Sequence, residues 1–274
     1  MKAPGNIRLF LSDVDGTLVT HEKQLTEATK AAARELRDAG ILLAITSGRA
    51  PQGMRMLIEP LGLEQAIAGF NGGLLVNPDL SVIERHRLDP AIARRALALI
   101  LEQGLDAWVY TEADWLVRDP KAPHVANDRM AVQFEPRVVS SFTEADLAQA
   151  IKVVGVSDDF ARVAACEAMM QRELGDRASA TRSQAYYLDV THPQANKGAV
   201  VTTMSRRLNI PPEQIATIGD MPNDVLMFRR SGFSIAMGNA SDTVKAQAKA
   251  VTDSSENDGF AKAVRNFLLI PAKT

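Results

Sequence analysis

The sequence predicts an α/β fold in which a parallel sheet is interrupted by an inserted α+β domain. Three observations carry this. Short, mainly apolar runs flank an amphipathic helix near the start of the chain, the same kind of run returns near its end, and the stretch between has a different texture. Strands covered by helices on both faces read as continuous apolar runs, whereas half-buried antiparallel strands alternate.

Taken in order, Ile7-Arg8-Leu9-Phe10-Leu11 forms the first strand and leads into Ser12-Asp13-Val14-Asp15-Gly16-Thr17. Leu25 to Ala39 is a helix: Ala28, Ala32 and Leu36 share a face, Thr26 and Glu27 open it, and Gly40 lies just past its end. Ile41 to Ile45 is the second strand and ends in Thr46-Ser47-Gly48-Arg49. Strand, helix, strand with short loops implies a right-handed crossover and parallel pairing. A helix over Gln52 to Leu61 and a short strand over Ala66 to Phe70 bring the chain to Asn71-Gly72-Gly73. From about Ile83 to Leu188, partly alternating strands (Ala107 to Tyr110, Trp115 to Arg118, Tyr186 to Val190) mix with helices (Pro90 to Gln103, Thr143 to Val153, Ala165 to Leu174). That mixture is expected of an α+β domain with a largely antiparallel sheet. The parallel-sheet signal resumes at Ile215 to Asp220 and Phe233 to Gly238.

Composition narrows the functional classes. With 274 residues, 46% of them hydrophobic, the chain has ample material for a core. Its 31 basic and 33 acidic residues leave a formal charge of -2, so no overall field recruits nucleic acid or an anionic membrane, and any anion must be held locally. One cysteine, Cys166, excludes an internal disulfide framework and reads as a small buried apolar residue. The N-terminal apolar stretch is broken by Arg8, Ser12 and Asp13, unlike a signal peptide, and no segment has the length of a membrane span. The expected location is the cytoplasm.

The chemistry gathers at the ends of predicted strands. Asp13 and Asp15 stand one residue apart before a turn glycine, at the carboxyl end of a strand, where open α/β sheets bind ligands. Ser47, Lys197 in Asn196-Lys197-Gly198, and Asp220 with Asn223 and Asp224 occupy further strand ends. Singly, each has an ordinary reading as a turn, a helix start or a solvated loop. In chain order they fit one reaction, phosphoryl transfer to a carboxylate. Asp13 is the expected nucleophile, and Asp15, held protonated, the expected general acid and then base. Asp13, Asp220, Asp224 and a phosphate dianion together carry a charge of about -5, which Lys197 and Mg²⁺ would reduce to about -2. Ser47 and backbone amides near it and near Asp15 are the expected donors to phosphoryl oxygens.

On these residues the chain resembles the haloacid dehalogenase superfamily, in its Cof-like phosphatase branch, over essentially its whole length. Asp13-Val14-Asp15-Gly16-Thr17 matches the family's first motif, Ser47 in Thr46-Ser47-Gly48-Arg49 the second, Lys197 the third, and Gly219-Asp220-Met221-Pro222-Asn223-Asp224 the fourth. The resemblance implies a Rossmann-like core and a small phosphorylated metabolite as substrate. It implies Mg²⁺ held by the Asp13 side chain, the Asp15 backbone carbonyl and Asp220, with Asp224 and Asn223 in support. A span of 34 residues from Asp13 to Ser47 leaves no room for an inserted domain, whereas the 150 from Ser47 to Lys197 do. The expected division is a core of residues 1–84 and 189–274 with a substrate-selecting cap of 85–188.

Other positions have lesser expectations. Gly48 and Arg49 border the phosphate pocket, and Arg49 either holds a second anionic group of the substrate or lies on a helix surface. Asn71 and Gly72 match a family loop near the site, which makes them candidate substrate contacts, or simply turn the chain. Asp189 stands where relatives often have glutamate. Trp108, Tyr110 and Trp115 read as cap core rather than a sugar platform, and Arg182 and His124 as candidate specificity residues. His21, His86, His124 and His192 lack zinc-site spacing. The rival readings are a phosphomutase of similar fold and a non-catalytic phospho-ligand binder. The short Met221-Pro222 loop lacks the glycine-rich extension of such mutases, and a pure binder has no use for an acid/base aspartate.

Overall fold

A computed structural model describes residues 6–132 and 134–269. Fourteen strands form two sheets among the described residues. In chain order they are β1 (Leu9–Ser12), β2 (Leu42–Thr46), β3 (Ile67–Gly69), β4 (Leu74–Val76), β5 (Val82–Arg85), β6 (Asp106–Tyr110) and β7 (Trp115–Val117). They continue as β8 (Arg137–Val138), β9 (Lys152–Val156), β10 (Ser179–Gln184), β11 (Tyr187–Thr191), β12 (Ile215–Gly219), β13 (Phe233–Ala236) and β14 (Ala250–Val251).

The larger sheet has the order β14-β13-β12-β1-β2-β3-β4-β5. Its first six strands are parallel, and β4 and β5 add an antiparallel edge. This is the Rossmann-like core. β1 lies at its centre because all four of its side chains are buried. Leu9 and Leu11 face Val200, Val201 and Met204, while Phe10 faces Leu36 and stacks on Phe260 at 5.5 Å. Helices therefore cover both faces, as parallel strands require. Thr26 caps the helix Glu27–Asp38, accepting from the Thr29 amide.

The smaller sheet has the order β10-β11-β9-β6-β7-β8 and is antiparallel except for β7 with β8. It has its own apolar core, in which Ile92, Ala96 and Ile100 of helix Pro90–Glu102 meet Val163, Cys166 and Met170 of helix Phe160–Leu174. Cys166 is fully buried and its thiol is pushed up to about 11 by that burial, in keeping with a packing role. β11 runs through the expected core–cap boundary at 188/189, and its Asp189, Val190 and Thr191 pair within the smaller sheet.

Two local expectations are corrected. The helix expected over Thr143 to Val153 stops early: it spans Glu144–Ala148, and Lys152–Val156 is instead the central strand β9. Thr143 caps that short helix reciprocally with Asp146, and the β-branched Val153 and Val154 then fill a strand buried on both faces. Lys197, expected at a strand end, instead opens the helix Lys197–Leu208, which Asn196 caps. Among the described residues, no helix is long and apolar enough to cross a membrane.

Candidate active site

The carboxyl ends of β1, β2 and β12 lie side by side and deliver their following loops to one crevice. Asp13 leaves β1 with its amide bonded to the Ile218 carbonyl. Lys197, at the start of its helix, donates to Asp13 Oδ1 at 2.5 Å and to Asp224 Oδ1 at 2.6 Å. All three residues are buried. Asp224 Oδ2 accepts from the amides of Asp220 and Met221 at 3.0 and 2.9 Å, so both of its oxygens are engaged. Asp220 Oδ2 accepts from Asn239 at 3.0 Å, whereas its Oδ1 is buried without a hydrogen-bond partner.

Electrostatics follow from this crowding. Burial, opposed by Lys197 and reinforced by Asp224, pushes the Asp13 carboxyl up to about 7. Burial and then Asp13 and Asp224 hold Asp220 well above the ordinary carboxylate range. Lys197 stays protonated: burial disfavours its charge, but Asp13 and Asp224 more than compensate. Asp13, Asp220 and Asp224 each bring a carboxylate oxygen within 4.8 Å of the others. An all-oxygen, anionic donor set of this kind fits a hard divalent cation, and the orphaned Asp220 Oδ1 is an oxygen such an ion would satisfy.

Asp15 is in a different state from the one expected. Arg49 grips it through Nε at 2.7 Å and Nη2 at 2.6 Å, and Lys23 adds a contact at 2.7 Å. Burial alone would raise its carboxyl, but Arg49 and Lys23 hold it well below the usual range. Asp15 is therefore ionised here, not protonated, because a bidentate guanidinium favours the charged form.

Ser47 is buried at the end of β2, where its Oγ accepts from the Arg49 amide at 3.1 Å. With Asp13, Asp15, Lys197 and Asn223 it lines a cavity of about 110 Å³, whose opposite side comes from the inserted domain. A family model for the haloacid dehalogenase-like hydrolases matches residues 10–264. The chain belongs to that family.

Known relatives of this hydrolase agree in length and fold. It is 27% identical to the Bacillus subtilis 5-amino-6-(5-phospho-D-ribitylamino)uracil phosphatase YcsE, over 96% of this chain and 97% of that protein. It is 25% identical to the Escherichia coli pyridoxal phosphate phosphatase YbhA, over 96% of this chain and 99% of that one. Its fold matches a solved haloacid dehalogenase-like hydrolase from B. subtilis with a TM-score of 0.84, at 23% identity, covering 96% of this chain and 100% of the other.

Within the hydrolase, not every expected residue reaches the cavity. Gly48 and Arg49 line it, but the Arg49 guanidinium is engaged by Asp15 and, through Nη1, by the Gly53 carbonyl. Asn71 sits behind the wall, donating to Asp189 Oδ2 at 3.3 Å and accepting from Asn223 Nδ2 at 3.2 Å. Gly72 turns the chain at φ +99° beside Val200. Arg182 pairs with Glu167 at 2.8 Å, away from the lining, and His124 stacks on Tyr186 at 4.0 Å.

Several residues that border the site escaped sequence reasoning. Lys152 donates to the Gly48 carbonyl at 2.8 Å, pairs with Asp189 at 3.3 Å and lies over the Tyr110 ring. Asp128, Tyr186 and Tyr187 line the cap side. Asn239 follows the strand β13 and bonds both the Gly16 carbonyl and Asp220. Only Asn239 had a legible signal, its place just past a parallel strand.

Proposed function

We propose that this hydrolase is a Mg²⁺-dependent phosphatase acting on small phosphorylated metabolites through an aspartyl-phosphate on Asp13. The observation that supports it is the meeting of Asp13 with Lys197 and Asp220 beside a cavity that Asp13, Asp15, Ser47 and Lys197 line. The names of the relatives, each a phosphatase of a small phosphate ester, point the same way.

Asp13 attacks phosphorus in line, and the ester P–O bond breaks as the leaving oxygen takes a proton from Asp15. Water then attacks the phosphoaspartate, Asp15 takes its proton, and the P–O bond to Asp13 breaks to release phosphate. Lys197 neutralises Asp13 and the incoming phosphoryl group, and Ser47 Oγ donates to a phosphoryl oxygen. The ionised, Arg49-bound Asp15 is the form that receives the proton from water; donation to the leaving group requires it to be protonated first. Mg²⁺, held by Asp13, the Asp15 carbonyl and Asp220, would offset carboxylate repulsion and stabilise charge on the transferring group. Asp224 would act from behind by holding Lys197 and the loop amides, and Asn223 would act from the cavity lining.

Phosphate release is measured from sugar phosphates, nucleotides, phosphorylated cofactors and p-nitrophenyl phosphate, with Mg²⁺ or with chelator, for wild type and Asp13→Asn. Metal-dependent release that the substitution abolishes is expected. Release that survives Asp13→Asn in a pure preparation would remove Asp13 as nucleophile.

A further inference from the structure

The cavity extends beyond its phosphate end, and the far wall has a composition that the hydrolytic steps leave unused. Trp108, Tyr110, Tyr186 and Tyr187 line it. Tyr186 is backed by His124, with ring planes 7° apart, and Tyr187 packs edge-on against Tyr186 and Trp108. Among these rings lies Asp128, from the helix Val125–Val132. Its Oδ2 accepts from the Tyr110 hydroxyl at 2.7 Å, and Tyr187 lines the cavity beside it. Burial raises its carboxyl, with Tyr110 and Lys152 opposing.

Lys152 and Arg49 also act on Asp128 from a distance, but the hydrogen bonds and ion pairs of the cations around this wall go chiefly to other groups. Arg49 and Lys23 hold Asp15, and Lys152 holds Asp189 and the Gly48 carbonyl. A second phosphate or carboxylate on the substrate would meet Asp128 at close range in a partly dry cavity, where like charges repel strongly. A carboxylate has acceptor capacity for about four hydrogen bonds, and the Tyr110 hydroxyl leaves room for more. A flat ring bearing N–H groups fits both features: it stacks on aromatic side chains and donates to Asp128.

We propose that the cap side of the cavity is a leaving-group subsite for an aromatic ring that presents an N–H or ammonium donor to Asp128, and that it selects against a second anionic group. The inference rests on the phosphatase reading for the phosphate end only.

Three esters on one ring isolate the effect: 4-(aminomethyl)benzyl phosphate, benzyl phosphate and 4-carboxybenzyl phosphate. Their phosphonates, with methylene in place of the ester oxygen, report binding by calorimetry without turnover. The expected order is aminomethyl above unsubstituted above carboxylate, by about tenfold per step in kcat/KM and in phosphonate affinity, flattened in Asp128→Asn. Glucose 6-phosphate is expected below the aminomethyl ester; parity would remove the aromatic half of the proposal. A flat or reversed order in the wild type, or an order unchanged in Asp128→Asn, overturns the subsite while turnover itself leaves the phosphatase reading standing. Phosphonates that bind in the expected order with no ester hydrolysed would instead support the subsite and overturn the phosphatase reading. Failure to bind any phosphonate overturns the subsite whatever the hydrolysis assay gives.

Discussion

Asp13 shows how one side chain couples chemistry to conditions. Burial holds its proton up to about 7, whereas in an unfolded chain it titrates near 4. The folded state thus binds this proton more tightly than the unfolded one, and the metal-free fold gains stability as pH falls from about 7 toward 4. A divalent ion needs the ionised carboxylates and displaces the proton. Mg²⁺ is therefore expected to raise the melting temperature more at about pH 8 than at about pH 6, relative to chelator. Equal increments at both pH values would mean that Asp13 and Asp220 do not compete with the metal for protons. Asp15 has the opposite sign: its depressed carboxyl stabilises the fold above the ordinary carboxylate range, and that contribution is lost as the medium becomes strongly acidic.

At the scale of elements, the strand-end loops work because backbone and carboxylates approach closely. Gly16 turns with φ +75°, and a Cβ there would lie 2.5 Å from Asp220 Oδ2. Gly16→Ala should cost about 1–2 kcal/mol in backbone strain alone and also displace Asp220. Calorimetry should then show Mg²⁺ affinity reduced by about tenfold or more, the scale on which disturbed metal-site support acts. Undiminished affinity would place Asp220 outside the metal site. The shortened helix before β9 has a physical origin as well. Ala148-Gln149-Ala150-Ile151 has the local preference of a helix, but burial of Lys152–Val156 on both faces selects a strand, because pairing with β6 and β11 outweighs local propensity.

For the whole molecule, one contact between core and cap is made by Lys152. Its ammonium reaches the Gly48 carbonyl at the end of β2 while pairing with Asp189, which is fully buried. Lys152→Met would leave that carboxylate without its cation and should destabilise the fold by about 3–5 kcal/mol in urea denaturation, the usual consequence of breaking a buried pair. A loss under about 1 kcal/mol would mean that Asn71 alone suffices for Asp189. The same tie borders the cavity, so the variant should also weaken substrate binding.

The sequence by itself determined the family and the parallel core, and it pointed to the candidate residues of the proposed phosphate end. Asp13, Ser47, Lys197 and Asp220 sit beside turn residues at element ends, where short-range patterns of apolar runs, glycines and polar residues are legible one segment at a time. Tertiary structure alone decided that Arg49 grips Asp15 and keeps it ionised, that Asp189 meets Lys152 and Asn71, and that Asp128 lies among aromatic rings in the cavity that Asp13 also lines. Those groups come from segments far apart in the chain, and what each does depends on burial and on the charge of its neighbours. Neither quantity is a property of a local stretch of sequence; both arise only when the two sheets are packed together.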